Sequence, residues 1–288
     1  MRILITGGHG QLGRSCARAL HSHDVVALAH REIDVADAAS VDAAFARHRP
    51  EAVVHCAAFT DTSRCESDPA AAQAINAAGS EHVALACARV GARLLSISTN
   101  EVFDGEKRSP YSAGDATGPV NAYGASKLEG ERLAAAANPD TLVVRTSWLY
   151  GDGGNNFIEK VRHAALSGRA LSFVTDEVAS PTSTDDLADA IRRLLEEGAP
   201  AGIYHLVNEG EASRYDWAVE ILRLSGMQDT VIELVTMASL RANGYAGPRK
   251  PAYSVLANTR ARALGITLRP WREALAAYFE RARVAADG

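Results

Sequence analysis

Long apolar runs are missing from this chain of 288 residues. Nowhere do about 18 apolar residues follow one another without interruption, as a membrane-spanning helix requires. The first apolar run, within residues 1–6, is too short for the hydrophobic part of a secretory signal and passes directly into glycines. These absences predict a soluble, cytoplasmic protein that binds no membrane.

The chain also lacks a strong charge of one sign. Its 30 Lys and Arg residues against 35 Asp and Glu residues leave a formal net charge of −5, and no block of Lys and Arg occurs. This balance argues against a nucleic-acid partner or a polybasic membrane patch. It does not argue against anionic small molecules, which need only local positive charge.

Cysteine is scarce as well. The four cysteines, Cys16, Cys56, Cys65 and Cys87, show neither a CxxC pair nor a Cys/His spacing typical of a metal site. Because Cys16, Cys56 and Cys87 lie in apolar stretches, we expect free buried thiols, with neither a disulfide nor a bound metal.

What the sequence does contain is a regular alternation of short apolar runs and alanine-rich stretches. The runs are apolar throughout, as are strands of a parallel sheet that is covered on both faces. The pattern predicts an α/β fold in which a Rossmann-type doubly wound parallel sheet fills residues 1–150. A smaller C-terminal α/β substrate domain follows in residues 151–288, with later segments returning to the first domain.

The predicted strands of the first domain are Ile3–Thr6, Val25–Ala29, Ala52–Cys56, Leu94–Ser98 and Leu142–Thr146, and its predicted helices lie around 12–22, 40–48, 69–90 and 123–137. Beyond residue 150 the pattern predicts helices near 156–167, 184–197, 214–225 and 270–284, a short apolar run at 171–174 and a strand at 203–207.

A glycine-rich loop of the form TGxxGxxG, Thr6–Gly13, follows the first strand directly and leads into a helix. Glycine allows a tight turn, close packing of helix on strand, and the approach of a pyrophosphate to backbone N–H groups at the helix N-terminus. At the start of a βαβ pattern, this loop predicts a dinucleotide site.

The end of the second strand indicates which dinucleotide. Ala29 stands where an NAD site would place a carboxylate against the ribose hydroxyls. His30 and Arg31 could meet a 2′-phosphate, which favours NADP(H), although both could also be solvated surface residues. Asp34 could accept a hydrogen bond from the adenine amino group, or it could only form a turn.

The segment 121–127 places Tyr123 and Lys127 four residues apart on one helical face. A neighbouring ammonium stabilises a phenolate and lowers the pKa of the phenol, so the pair predicts a proton donor. Thr99, directly after the fourth strand, could donate to a carbonyl oxygen or orient the tyrosine.

At these residues the chain resembles the dTDP-4-dehydrorhamnose reductases, a branch of the extended short-chain dehydrogenase/reductases. The glycine loop and the Tyr-x-x-x-Lys motif are shared by the whole superfamily, whereas the strings at 145–157 and 180–188 are specific to this branch. The resemblance covers nearly the whole chain and is carried by Thr6–Gly13, Asp34–Val35, His55–Thr60, Glu66–Pro69, Asn76, Ile97–Gly105, Pro110–Tyr111, Asn121–Lys127, Gly130–Glu131, Arg145–Gly151, Asn155–Phe157, Ser180–Thr182, Asp186–Ala188, Gly202–Leu206, Tyr215–Ala218 and Leu268–Leu275.

The resemblance implies reduction of the 4-keto group of a nucleotide-linked deoxysugar by NAD(P)H, with Thr99, Tyr123 and Lys127 as the catalytic triad. The residues expected to bind the coenzyme are Gly7, Gly10, Gln11, Leu12, Gly13, His30, Arg31, Asp34, Val35, Ala57, Ala58 and Lys127. Those expected to bind substrate are Thr99, Asn100, Tyr123, Trp148 and Arg249. Trp148 would cover the sugar or could be a core tryptophan, and Arg249 would hold the diphosphate or lie in a solvated loop.

Two departures from the family pattern concern the substrate. Asn100–Glu101 stands where the family usually has Asp-Tyr, and Thr62–Cys65 differs from a loop that lies near the sugar in relatives. Nucleotide-sugar 4,6-dehydratases carry an Asp-Glu pair at the first place. Because an amide cannot serve as the general acid, Asn100 disfavours dehydration.

The sequence therefore predicts an enzyme that reduces a dTDP-4-keto-6-deoxyhexose, with dTDP-4-dehydro-L-rhamnose to dTDP-L-rhamnose as the favoured reaction. NADPH is the expected coenzyme, with NADH as an alternative, and a homodimer is left open. The competing interpretations are a reductase of another dTDP-deoxysugar and a noncatalytic regulatory subunit that resembles the β subunit of methionine adenosyltransferase.

Overall fold

Six parallel strands form the central sheet of the computed structural model, which describes residues 1–153, 156–168 and 170–287. The strands are β1 (Arg2–Thr6), β2 (Asp24–Leu28), β3 (Ala52–His55), β4 (Arg93–Thr99), β5 (Thr141–Thr146), β6 (Leu149–Tyr150), β7 (Leu171–Val174), β8 (Val178–Ala179), β9 (Thr182–Ser183), β10 (Gly202–His205), β11 (Ala212–Ser213) and β12 (Ile232–Val235). The helices are α1 (Gln11–Ala19), α2 (Ala38–His48), α3 (Thr62–Ser67), α4 (Pro69–Ala72), α5 (Gly79–Val90), α6 (Ala122–Ala137), α7 (Phe157–Leu166), α8 (Thr184–Glu196), α9 (Arg214–Leu224), α10 (Met237–Ala242), α11 (Thr259–Ala263) and α12 (Trp271–Asp287).

Side chains alternate between the two faces of the sheet, and helices cover both. Ile3 and Ile5 of β1 pack with α1 and α8 in the core on one face of the sheet. Leu4, which lies between them in the sequence, packs with α2 and α5 in the core on the opposite face. Because both faces are buried, the strands carry apolar residues at consecutive positions. The predicted doubly wound α/β fold is confirmed, with strand ends that differ by a residue or two.

The strand order β2-β1-β3-β4-β5-β10 reverses direction between β1 and β3. Ligands of open parallel sheets bind outside the carboxyl ends of the strands at such a reversal. The glycine loop leaves β1 there, and the segments after β3, β4 and β5 end at the same edge. The topology therefore brings distant parts of the chain to one cleft.

The second half of the chain contributes both to the central sheet with its covering helices and to a group of strand pairs outside that sheet. Strand β10 pairs with β5, and α8 packs against α1, so these segments belong to the sheet. Three two-stranded pairs, β7 with β12, β8 with β11 and β6 with β9, lie outside it beside a core that includes Tyr150, Trp217 and Trp271. No described helix has the length and apolar character needed to cross a bilayer.

The stretch 69–90 differs from the single helix that its alanines predict. Helix α4 passes into a π-helical segment, Gln73–Ala78, before α5 begins. π-helical segments insert an extra residue per turn and are frequent near functional sites. Here the segment carries Asn76, whose side chain binds the backbone N–H and carbonyl of Phe59 at 2.8 and 3.0 Å.

Candidate active site

A cleft of about 1200 Å³ opens at the carboxyl edge of the sheet. Nearly every residue predicted for the site lines it. These are Gly7, Gly10, Gln11, Leu12, Gly13, His30, Asp34, Val35, Ala57, Ala58, Thr99, Asn100, Tyr123, Lys127 and Trp148. Arg31 and Arg249 are the two predicted residues that do not line it. Asn155, which was quoted with the resemblance, lies outside the described residues.

The glycine loop is shaped by close contacts between backbone segments. Gly7 has φ +64°, and a Cβ there would lie 2.7 Å from the backbone nitrogen of Ala57. A Cβ on Gly13 would collide with the carbonyl oxygen of Gly7. Helix α1 begins directly after Gly10, and no side chain caps its first N–H groups. This cradle fits a pyrophosphate, because the helix start presents N–H donors and partial positive charge.

The segment after β2 lies at the expected adenosine end of the cleft. Ala29 and His30 line the cleft there, whereas Arg31, predicted to meet a 2′-phosphate, is exposed and does not line it. The strand end itself carries no carboxylate, but the side chain of Glu32 accepts a hydrogen bond from the Ala29 N–H at 2.9 Å. Only the fold of this turn reveals that the acid lies beside the strand end.

Asp34 forms a turn, as one of its two interpretations predicted, and it also lines the cleft. Its carboxylate accepts a hydrogen bond from the Ala36 N–H at 3.0 Å, and its own N–H donates to Ser40 at 2.9 Å. The second carboxylate oxygen leaves capacity for an amino group of a ligand.

Thr99, Tyr123 and Lys127 converge at the centre of the cleft. Thr99 ends β4, whereas Tyr123 and Lys127 lie on one face of α6. Asn121 caps this helix by accepting the Gly124 N–H at 2.8 Å, and this cap fixes where the helix starts. The Thr99 hydroxyl accepts the Glu101 N–H at 3.2 Å and donates to the Asn100 amide oxygen at 3.2 Å. The arrangement places two hydroxyls and an ammonium where a substrate carbonyl could meet them.

The electrostatics around Tyr123 differ from the simplest expectation. Burial raises the pKa of the phenol above its ordinary value, the nearby Glu101 carboxylate raises this pKa further, and the polar side chain of Thr99 opposes both. A raised pKa keeps the hydroxyl protonated at neutral pH. The phenol is therefore ready to give a proton to a developing alkoxide.

Lys127 lies almost fully inside the protein. Burial lowers the pKa of its ammonium from 10.5 to about 8, and the Glu131 carboxylate and the Cys56 thiol oppose this change. In turn, burial first and the Lys127 charge second lower the pKa of His55 to about 3. His55 is therefore a neutral imidazole, held between Thr6 at 2.7 Å and Ser80 at 3.3 Å.

Asn100 and Glu101, where the sequence departs from the family pattern, make contacts with the late part of the chain. The Asn100 amide donates to the Ser254 hydroxyl at 2.7 Å. Glu101 forms an ion pair with Lys250, with Nζ at 2.7 and 3.0 Å from its two oxygens, and it accepts from the Asn121 amide at 2.6 Å. The amide predicted to bind a substrate hydroxyl thus donates one of its two N–H groups within the protein, and the residue also lines the cleft.

Lys250, and not Arg249, is the cation that the late loop brings to the cleft. Arg249 is exposed and lines a smaller cavity of about 320 Å³ together with Arg108 and Arg241. Sequence alone could not separate these neighbours, because successive side chains in an extended loop point in opposite directions. The ion pair with Glu101 holds the Lys250 side chain at the cleft.

Trp148 lines the cleft with an unusual backbone. Its φ is +43°, a left-handed conformation that is rare for a large side chain and typical of functional sites. The Arg214 guanidinium lies 3.6 Å from the centre of the indole ring, and Trp217 stacks beside it at 5.5 Å. These contacts hold the ring in place at the cleft wall.

Among residues 1–153, 156–168 and 170–287, no cluster of three His, Cys, Asp or Glu side chains is arranged to hold a metal ion. The four cysteines are free thiols, of which Cys56 is partly exposed at the cleft.

Comparisons with known proteins place this chain in a family. The family model described as RmlD substrate binding domain matches residues 1–284. A dTDP-4-dehydrorhamnose reductase from Streptomyces griseus is 41% identical over 286 residues, which cover 96% of this chain and 93% of that protein. A dTDP-4-keto-6-deoxy-D-glucose reductase from Streptomyces niveus is 38% identical over 282 residues, with 96% of each chain covered.

The fold agrees with that of a solved structure. The crystal structure of a dTDP-4-dehydrorhamnose reductase from Bacillus anthracis in complex with NADP aligns with a TM-score of 0.91 and 33% identity, covering 97% of this chain and 99% of that one. With a matched family model and similar relatives along nearly its whole length, the chain belongs to the dTDP-4-dehydrorhamnose reductase family.

Proposed function

We propose that the protein reduces the 4-keto group of a dTDP-4-keto-6-deoxyhexose with NAD(P)H, with dTDP-4-dehydro-L-rhamnose to dTDP-L-rhamnose as the favoured reaction. The observation that carries the proposal is the convergence of Thr99, Tyr123 and Lys127 in one cleft with the glycine loop. A ketone reduction needs this combination of a proton donor, a hydroxyl at the carbonyl and a dinucleotide cradle.

Each residue has a role that follows from its chemistry. When bound, the reduced nicotinamide supplies a hydride to the carbonyl carbon. Thr99 donates a hydrogen bond to the carbonyl oxygen, and Tyr123 gives that oxygen its proton as negative charge develops there. Lys127 stabilises the resulting phenolate by its charge and holds the coenzyme ribose through its N–H groups.

For the coenzyme we propose a preference for NADPH, with NADH also accepted. The NADP found in the Bacillus anthracis relative, Ala29 at the strand end and His30 on the cleft favour the phosphorylated coenzyme. Glu32 acts against it, since a carboxylate at this strand end repels a 2′-phosphate and could accept from ribose hydroxyls. These opposing charges account for a limited preference.

The relatives with closely similar identity are named for two different sugars. Asn100 and Glu101 are tied to Ser254 and Lys250, so the pattern that differs from the family serves the late loop as well as the cleft. A reductase of another dTDP-deoxysugar is therefore the second candidate. The complete triad disfavours a noncatalytic subunit.

The deciding experiment incubates the purified protein with NADPH and a panel of dTDP-4-keto sugars, with nicotinamide absorbance and product analysis as readouts. The matched control is Tyr123→Phe, which keeps the ring and removes the proton donor. We expect oxidation of NADPH with at least one sugar and formation of the corresponding 4-hydroxy product. Oxidation with none of the sugars would favour the noncatalytic interpretation.

A further inference from the structure

A buried acid lies one helical turn beyond Lys127. Glu131 is 7% exposed and forms a two-point ion pair with Arg145, with oxygen to nitrogen distances of 2.9 and 2.6 Å. Ser98 of β4 donates a third hydrogen bond to the same carboxylate. Lys127 and Glu131 are four residues apart on α6, and residues with this spacing are neighbours on one face of a helix.

Burying an ion pair in a protein interior costs free energy. Removing two charges from water costs free energy that their attraction only partly returns, and apolar residues of similar size often serve stability equally well. Arg145 is 2% exposed and is held on its other side by the ring of Phe103 at 5.1 Å. Arg145 and Ser98 therefore fix the position of the Glu131 carboxylate, on the helix face that also carries Lys127.

Of the other groups around Lys127, the Cys56 thiol also raises the pKa of the ammonium, but by less than Glu131 does. Tyr123 lies one turn earlier on α6, and its phenol is neutral because its pKa is raised. His55 of β3 is a neutral imidazole, and the Cys56 thiol follows it at the strand end. Among the described residues, Glu131 is the carboxylate whose charge raises the pKa of this buried ammonium.

We propose that Glu131 is a positioning residue that keeps Lys127 protonated, with Arg145 and Ser98 holding its carboxylate in place. The inference rests on the proposed reduction for its purpose, because a neutral amine at position 127 could not stabilise the Tyr123 phenolate. Its test does not require that reaction, because the protonation of Lys127 can be followed without substrate.

The composition of the chain makes that measurement direct. It contains only four lysines, Lys107, Lys127, Lys160 and Lys250. Protein grown with lysine carrying carbon-13 at Cε therefore gives few NMR signals, and a Lys127→Arg variant identifies the one of interest. Its chemical shift, followed against pH, gives the titration midpoint of this ammonium in the intact protein.

We expect the Lys127 signal to titrate near pH 8 in the unaltered protein. In Glu131→Gln the midpoint should fall by about 1–3 pH units, the usual effect of losing a close opposite charge. Glu131→Asp, which keeps the charge, should shift it less. Glu129→Gln is the matched control, since it removes a partly exposed carboxylate from the same helix and should leave the midpoint unchanged.

Loss of Glu131 alone leaves Arg145 buried without its carboxylate, which could prevent folding. The double variant Glu131→Gln/Arg145→Met avoids this and should still lower the Lys127 midpoint, by less than Glu131→Gln because the Arg145 charge is removed as well. An unchanged midpoint in whichever variant folds would overturn the proposal, even if reductase activity were also lost.

A second readout separates this role from a merely structural one. In Glu131→Gln, NADPH oxidation at pH 7 should fall and should recover on lowering the pH, because acid restores the Lys127 charge. Damage to the fold would not be repaired by acid. Activity that is lost equally at all pH values, with an unmoved lysine signal, would show that Glu131 serves only packing. If the protein reduced no sugar, the proposed function would fail while the titration result stood.

Discussion

Two buried histidines should make the fold sensitive to mild acid. His205 is 1% exposed, and burial and the Arg145 charge lower its pKa to about 4. His55, equally buried, has a pKa of about 3, and burial is again the first cause. In the unfolded chain both would titrate near pH 6.5. The folded state therefore resists protons that the unfolded state accepts.

The sign and size of the effect follow from proton linkage. Above about pH 6.5 both states hold neutral imidazoles, and their contribution to folding is complete. Between pH 6.5 and about 4 only the unfolded state is protonated, so each histidine lowers the free energy of unfolding by roughly 1.4 kcal/mol per pH unit. From pH 6 to 5 the two together should remove about 2–3 kcal/mol, a large share of the ~5–15 kcal/mol typical of a domain.

The variant His205→Phe tests this reasoning with little other damage. The ring packs edge-on against Phe103 at 5.8 Å, a contact that phenylalanine can keep. The imidazole Nδ1–H donates to the Tyr111 carbonyl at 3.0 Å, but that oxygen also accepts the Ala257 N–H at 2.8 Å and so stays satisfied. We therefore expect near-normal stability at pH 7.5.

Urea unfolding between pH 7.5 and 5 measures the outcome. His205→Phe should reduce the acid-induced loss by about 1.4 kcal/mol per pH unit, leaving the His55 part. His163→Gln, at an exposed helical position, is the control and should keep the full loss. If His205→Phe lost stability with acid as steeply as the unaltered protein, neutral burial of His205 would be refuted.

Three further variants test the site. Tyr123→Phe should lower turnover by roughly 10²–10⁴-fold at an unchanged KM for NADPH, and a loss below about threefold would remove this phenol from the mechanism. Glu32→Gln should lower the KM for NADPH and not for NADH, and equal effects on both coenzymes would contradict a role of this carboxylate at the 2′-phosphate. Arg31→Ala should change the KM for either coenzyme by less than about fivefold, as expected for a screened surface charge. Lys250→Met should raise the KM for the dTDP-sugar and spare that for NADPH, and Glu101→Gln serves as the comparison that removes the other half of the pair.

Local patterns were sufficient for the sheet and for the parts of the site that sit in continuous motifs. Strands buried on both faces show themselves as apolar runs, so β1 and β3 could be found within a residue or two. The glycine loop and the Tyr123–Lys127 spacing are likewise fixed by a few neighbouring residues. Such features depend on contacts within one turn of helix or one strand end.

Features that depend on long-range contacts could not be predicted this way. The Lys250 ion pair joins residues separated by 149 positions, and nothing local distinguishes Lys250 from Arg249. The position of Glu32 depends on the path of the turn after β2. The π-helical segment at Gln73–Ala78 interrupts a stretch whose alanines favour an ordinary helix, and Asn76 within it hydrogen-bonds the distant Ser126.

The same long-range contacts show that the second half of the chain does more than approach a substrate. Strand β10 covers the edge of β5, the strand that leads to Trp148, and α8 completes the core beneath α1, whose N-terminus forms the cradle. Ser15 of α1 donates to Asp185 of α8 at 2.7 Å, which ties the back of the cradle helix to that core. Residues 1–150 contain every member of the triad, yet alone they would leave a sheet edge and an apolar helix face exposed to water. The geometry of Thr99, Tyr123 and Lys127 therefore depends on contacts from both halves of the chain.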